Sequence, residues 1–192
     1  MAWRTVHRQR GAIRRWLGAT GSLSARLAGA GRRFSVQVLD QGRQKLCRDE
    51  ARALGLPGPQ SGYVREVLLR VDGVAVVFAR SVTPQASSLG PWRAIRGLGS
   101  RPLADILFTR PGIVRGPLEF AALSRGSPVQ RHAARAWQRA TGQPVRSGAL
   151  PARRSVFTRC GAPLLVMEVF AASQAPWCWS PGNKKFLSEK QV

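Results

Sequence analysis

Three charged side chains set in apolar runs carry most of the chemical potential of this chain. Two of them, Arg65 and Arg80, lie in the stretch Tyr63 to Val82, YVREVLLRVDGVAVVFARSV. Two runs rich in β-branched and apolar residues there flank Asp72-Gly73, the strongest short-range signal for a two-residue type I′ hairpin turn. With that turn Val71 faces Val74, Leu69 faces Val76, Val67 faces Phe78, Arg65 faces Arg80 and Tyr63 faces Val82. All share one face, because strand side chains alternate with period two. Like charges directly opposite cost up to about 1 kcal/mol in a partly wet sheet, and more as water is excluded. Either both guanidinium groups reach out to solvent, or an anion sits between them, and a compact dicarboxylate is the natural guest.

Glu168 is the third. In Leu164 to Phe170, LLVMEVF, it shares a face with Leu164, Val166 and Phe170. Among nine acidic residues it is the one placed in the middle of the most apolar strand. A buried carboxylate must be paired, hydrogen-bonded or protonated. Arg153 faces it if the preceding turn is Cys160-Gly161, whereas Ser155 does if the turn is Gly161-Ala162, and the spacing leaves both registers open. A structural ion pair and a carboxyl group poised in a ligand pocket, its pKa raised by desolvation, both fit. His7 and His132 supply no Ser-His-Asp or Cys-His set. Cys47, Cys160 and Cys178 lack any CxxC spacing, so neither a disulfide framework nor a zinc site is indicated. No G-x-G-x-x-G follows a strand and no P-loop is present. Chemistry, if there is any, must therefore run on arginines, a carboxyl group and an enclosed apolar pocket.

The elements that must position these groups follow from pattern. At 192 residues and 44% hydrophobic content the chain is one domain with a proper core. Residues 1–10 are a basic start without pattern, expected to be disordered. Ile13, Trp16 and Leu17 have helical spacing, and Ser22 is a candidate N-cap for a second short helix holding Leu23 and Leu27. Phe34, Val36 and Val38 alternate as a strand, and Arg48 to Leu54 forms a helical turn. After the Asp72-Gly73 hairpin come short helices at Ser88 to Leu98 and from Pro102, the latter turning Leu103, Ile106 and Leu107 inward. Leu118 to Leu123 is a strand. Pro128 to Thr141 is a polar, basic helix inside an insertion of about residues 127–148. A last hairpin joins Arg153–Arg159 to Pro163–Ala171, and residues 178–192 form an irregular tail. Two hairpins with helices between them predict α+β architecture with an antiparallel sheet.

The net charge of +22, with 31 Lys and Arg of which four are lysine, invites a nucleic-acid reading. The arginines, however, are spread along the whole chain, with no zinc-finger spacing, RNP-like motif or helix-turn-helix. No apolar run approaches a membrane span. These features predict a cytoplasmic protein with a basic N-terminus and no specific nucleic-acid partner. The basic insertion reads as a solvated helix or as a weak contact with an anionic membrane.

Several of these segments resemble one family. YVREVLL at Tyr63, Asp72-Gly73, ARSVTP at Ala79, LGSRPLADILF at Leu98 and GAPLLVMEVF at Gly161 are similar to the central motifs of chorismate pyruvate-lyase, the first committed enzyme of bacterial ubiquinone synthesis. The resemblance runs from about Ile13 to Trp177, apart from the insertion. It implies conversion of chorismate to 4-hydroxybenzoate and pyruvate without metal or organic cofactor, with a six-stranded antiparallel sheet and the ligand enclosed beneath two helical flaps. The chain is expected to be a monomer. It implies that Arg65 grips the ring carboxylate, that the backbone N–H of Leu103 binds the same group, and that Glu168 hydrogen-bonds the product hydroxyl. Leu23 falls where better-known members carry methionine, a contact made through backbone N–H. Ala79 replaces a frequent glycine. On the hairpin register above, Arg80 would meet the enolpyruvyl carboxylate, and Glu168 would protonate the departing ether oxygen or the enolpyruvyl methylene. A non-catalytic effector-binding module of the same fold is the leading alternative.

Overall fold

A computed structural model describes residues 2–7, 9–173 and 175. Among them run seven strands: β1 (Phe34–Lys45), β2 (Ser61–Val71), β3 (Val74–Pro84), β4 (Ile113–Arg115), β5 (Glu119–Leu123), β6 (Leu150–Arg159) and β7 (Ala162–Val169). All pairings are antiparallel, in the order β1-β2-β3-β7-β6-β4, with β5 also pairing β6. The helices are α1 (Ala12–Leu17), α2 (Leu23–Ala28), α3 (Arg48–Ala53), α4 (Gln85–Leu89), α5 (Ala104–Leu107) and α6 (Pro128–Thr141), with a 3₁₀ turn at Arg93–Gly97. The architecture is the expected α+β, with one strand more than six. The addition, β4, is three residues long and too short to carry a periodic signal.

Both hairpins close through two-residue turns with positive φ at each position, 48° and 80° at Asp72-Gly73 and 48° and 74° at Cys160-Gly161. This is type I′ geometry, whose twist matches that of the strands it joins. The second turn pairs Arg159 with Ala162 and so sets Arg153 opposite Glu168. In the first hairpin Val71 faces Val74 and Arg70 faces Ala75, but Leu69 then faces Val77. Val76 is therefore an extra residue, a β-bulge, and everything beyond it shifts by one. Arg65 faces Ser81, and Arg80 faces Glu66. The expected Arg65–Arg80 pair does not form, because a one-residue slip sends a side chain to the other face of the sheet.

One face of the sheet is covered by α1, α2 and the segment 85–108. That segment has its own apolar cluster, in which Tyr63, Trp92, Ile95, Leu98, Ile106 and Phe157 are buried, and Trp92 Nε1 donates to Ala162 O at 2.9 Å. The other face carries α3 and α6. Helix α6 has the expected bounds: the Ser127 hydroxyl accepts from Gln130 N, Pro128 opens it, and Gly142 ends it in the left-handed conformation at φ 69°. It is not a solvated appendage. Ala133, Ala136 and Trp137 are buried in the main core, and His132 packs edge-on to Phe78.

The first residues are likewise built in. Arg4 and Phe120 exchange backbone hydrogen bonds of 3.0 and 2.7 Å, and Trp3 Nε1 donates to Asp49. The expectation of a disordered start thus fails at Trp3 and Arg4, where β5 offers an open edge. The tail 178–192 lies outside the described residues. Among the described residues no helix is long and apolar enough to cross a membrane.

Candidate active site

Between the sheet and its covering helices lies a cavity whose floor is two rows of inward side chains. One row runs Arg65, Ser81, Val166, Ser155 and the other Val67, Ala79, Glu168, Arg153, across β2, β3, β7 and β6. Arg65 and Glu168 are two strands and two residues apart, which sets their Cα atoms about 12 Å from each other by ordinary sheet spacing. Leu23 at the start of α2 and Leu103 just before α5 close the cavity from above. Both side chains are buried, and the first N–H groups of each helix lack intrahelical acceptors.

Arg65 is 3% exposed. Its Nη2 donates to Gly99 O at 2.8 Å and Arg101 O at 3.1 Å, tying down the loop that leads to Leu103. Its Nε is buried with no hydrogen-bond partner among the described residues. Burial pushes the guanidinium below its ordinary pKa, partly offset by Tyr63. An unmet buried donor costs about 1–3 kcal/mol, so this edge suits an acceptor that the described residues do not provide.

Glu168 is held by Arg153, whose Nε donates to Oε2 at 2.5 Å. Arg153 Nη1 donates to the carbonyls of Trp16, Leu17 and Ala19 at 3.1, 3.0 and 2.7 Å. One buried arginine therefore fixes the carboxylate and satisfies the end of α1 together. Among the described residues Glu168 is the one carboxyl group in the cavity lining.

Arg115, on β4, completes the charged lining. Its guanidinium lies over the rings of Phe108 and Phe157, 5.9 and 5.3 Å from their centroids, and Nη1 donates to Thr20 O. Its Nε, like that of Arg65, is buried without a partner among the described residues.

The family model for chorismate lyase matches residues 4–179. The chain belongs to the chorismate lyase family. It is 67% identical over 92% of its length to a probable chorismate pyruvate-lyase of Albidiferax ferrireducens, of which it covers 90%. It is 42% identical over 82% of its length to the like-named protein of Cupriavidus metallidurans, of which it covers 72%. Among solved structures it is similar in fold to the PhnF C-terminal domain (TM-score 0.54, 18% identity, 71% of this chain and 82% of that one). It is also similar to the ligand-binding domain of a GntR-family regulator from Bordetella bronchiseptica (TM-score 0.51, 16% identity, 77% and 90%).

Of the residues singled out from sequence, Arg65, Glu168, Leu103 and Leu23 line this one cavity. Arg80 does not. It lies on the reverse of the sheet, where Nε donates to Glu50 at 2.6 Å and Nη1 to Glu66 at 2.5 Å. The Val76 bulge is the physical reason. Sequence reasoning missed Arg115, which sits in a three-residue strand without any pattern. It reached Arg153 only as one of two registers, because Gly161 fits both turns, second in a type I′ turn after Cys160 or first in a type II′ turn before Ala162, and nothing in the residue types selects between them.

Among the described residues no three His, Cys, Asp or Glu side chains gather as a metal site.

Proposed function

We propose that this chain is a chorismate lyase that releases pyruvate from chorismate and leaves 4-hydroxybenzoate, at the entry to ubiquinone synthesis. The observation that carries the reading is the buried, partnerless Nε of Arg65 in the same cavity as the anchored carboxylate of Glu168. A ring with a carboxylate at one end and a hydroxyl at the other fits between such a donor and such an acceptor. In this reading Arg65 holds the ring carboxylate together with the N–H groups of Leu103 and Leu23, and Glu168 accepts from the ring hydroxyl.

The reaction breaks the ether C–O bond and a ring C–H bond, and that hydrogen ends on the enolpyruvyl methylene, which becomes the methyl group of pyruvate. Aromatisation supplies the driving force, so the protein's task is orientation in a closed site and proton transfer. Glu168, as the only carboxyl group of the lining among the described residues, is the relay.

The test is to mix purified protein with chorismate and follow 4-hydroxybenzoate by ultraviolet absorbance and pyruvate by a coupled assay. Equal amounts of the two products are expected. Stabilisation by chorismate without turnover would instead make the chain an effector-binding module. Glu168→Gln is expected to lower kcat by about 100-fold or more; full activity would mean that the hydrogen passes within the substrate, without the protein.

A further inference from the structure

Among the described residues four buried side-chain atoms lack a hydrogen-bond partner, and two of them are guanidinium nitrogens, Arg65 Nε and Arg115 Nε. Both arginines line the same cavity. Arg153, the third arginine there, is spent on Glu168 and on three carbonyls. Three arginines and one glutamate give the lining a net charge of +2. Arg115 has no carboxylate among its hydrogen-bond partners. Burial first, and then the charge of Arg153, push its guanidinium below the ordinary value, against a smaller pull from Glu168. A cavity with two open guanidinium edges and a surplus of two positive charges is matched to a guest with two carboxylates.

We propose that Arg115 is the second anion-binding residue of this cavity and takes the enolpyruvyl carboxylate, the group that departs as pyruvate. The assignment rests on the lyase reading above and fills the place that Arg80 cannot take. It makes Arg115 a residue that separates substrate from product. Chorismate carries two carboxylates and engages both arginines, whereas 4-hydroxybenzoate carries one and engages Arg65 alone. The Phe108 and Phe157 rings that flank Arg115 hold its guanidinium in place by cation–π contact.

The test compares Arg115→Gln and Arg115→Lys with the unmodified chain and with Arg65→Gln. Chorismate turnover is measured beside calorimetric affinity for 4-hydroxybenzoate and for an ether dicarboxylate, 3-(carboxymethoxy)-4-hydroxybenzoate. Arg115→Gln is expected to cut kcat/KM by about 100-fold and to weaken the dicarboxylate similarly. Affinity for 4-hydroxybenzoate should stay within about threefold, which also reports an intact fold. Arg115→Lys should recover part of the loss, and Arg65→Gln should weaken all three ligands. Equal weakening of mono- and dicarboxylate by Arg115→Gln, or unchanged turnover, would overturn the proposal. If Arg115→Gln weakened the dicarboxylate and spared 4-hydroxybenzoate, yet the unmodified chain did not turn over chorismate, the lyase reading would fail and the dicarboxylate site would stand.

Discussion

Arg80 and Arg65 lie on neighbouring strands and have opposite fates, because the partners around each decide what it can do. Arg80 is bracketed by Glu50 and Glu66, with Gln44 as a further acceptor. Burial disfavours its charge, but those carboxylates outweigh burial and raise its pKa. Removing it leaves Glu50 buried without a cation and Glu66 with His132 alone, so Arg80→Met is expected to cost about 3–5 kcal/mol in urea unfolding. KM for chorismate should hardly move, which separates a structural arginine from a substrate-binding one. Glu66 carries a pH consequence. Burial opposes its ionisation, yet His132 at 2.5 Å and Arg80 outweigh it and hold the carboxyl below 4.5. A depressed carboxyl stabilises the fold above its unfolded value and loses that contribution as pH falls through the folded value. His132→Ala should therefore be less stable than the unmodified chain at pH 6, with the two curves converging in acid unfolding as the pH falls through the lowered value of the folded carboxyl.

At the scale of elements, turn and cap chemistry was legible and strand irregularity was not. Asp72-Gly73 and the Ser22 cap of α2 sit at the positions where backbone geometry demands those residue types. Val76 lies in a uniform run of Val and Ala, so nothing in its type marks it as the residue left out of the ladder. Four of the five residues chosen for the site nevertheless line the cavity, since Arg65 lies on β2, and β7 is set by its own turn. Deleting Val76 would carry Arg80 round to the cavity face and strip Glu50 and Glu66 of their cation. We expect the deletion variant to lose its near-ultraviolet circular dichroism and its cooperative urea transition. Wild-type stability in that variant would show that the bulge does not set the register. The docking of α6 was hidden for a different reason. Its buried stripe is mostly alanine, which reads as weakly apolar until a sheet is placed against it.

At the scale of the whole molecule, a net charge of +22 acts on encounter more than on fold. A cationic protein with a dianionic substrate should show kcat/KM falling several-fold as ionic strength rises from about 20 to about 300 mM, with kcat nearly constant. A steep salt dependence of kcat itself would place the effect inside the cavity instead. The sheet also separates two kinds of charge. On its reverse Asp49, Glu50, Glu66 and Glu119 are tied to Arg80 and Arg154 in ion pairs. The cavity lining instead holds three arginines against one glutamate among the described residues. A small anion that reaches the reverse of the sheet meets arginines already engaged by carboxylates, whereas one that reaches the cavity meets cations in excess, so the sheet settles on which of its sides such an anion can lodge.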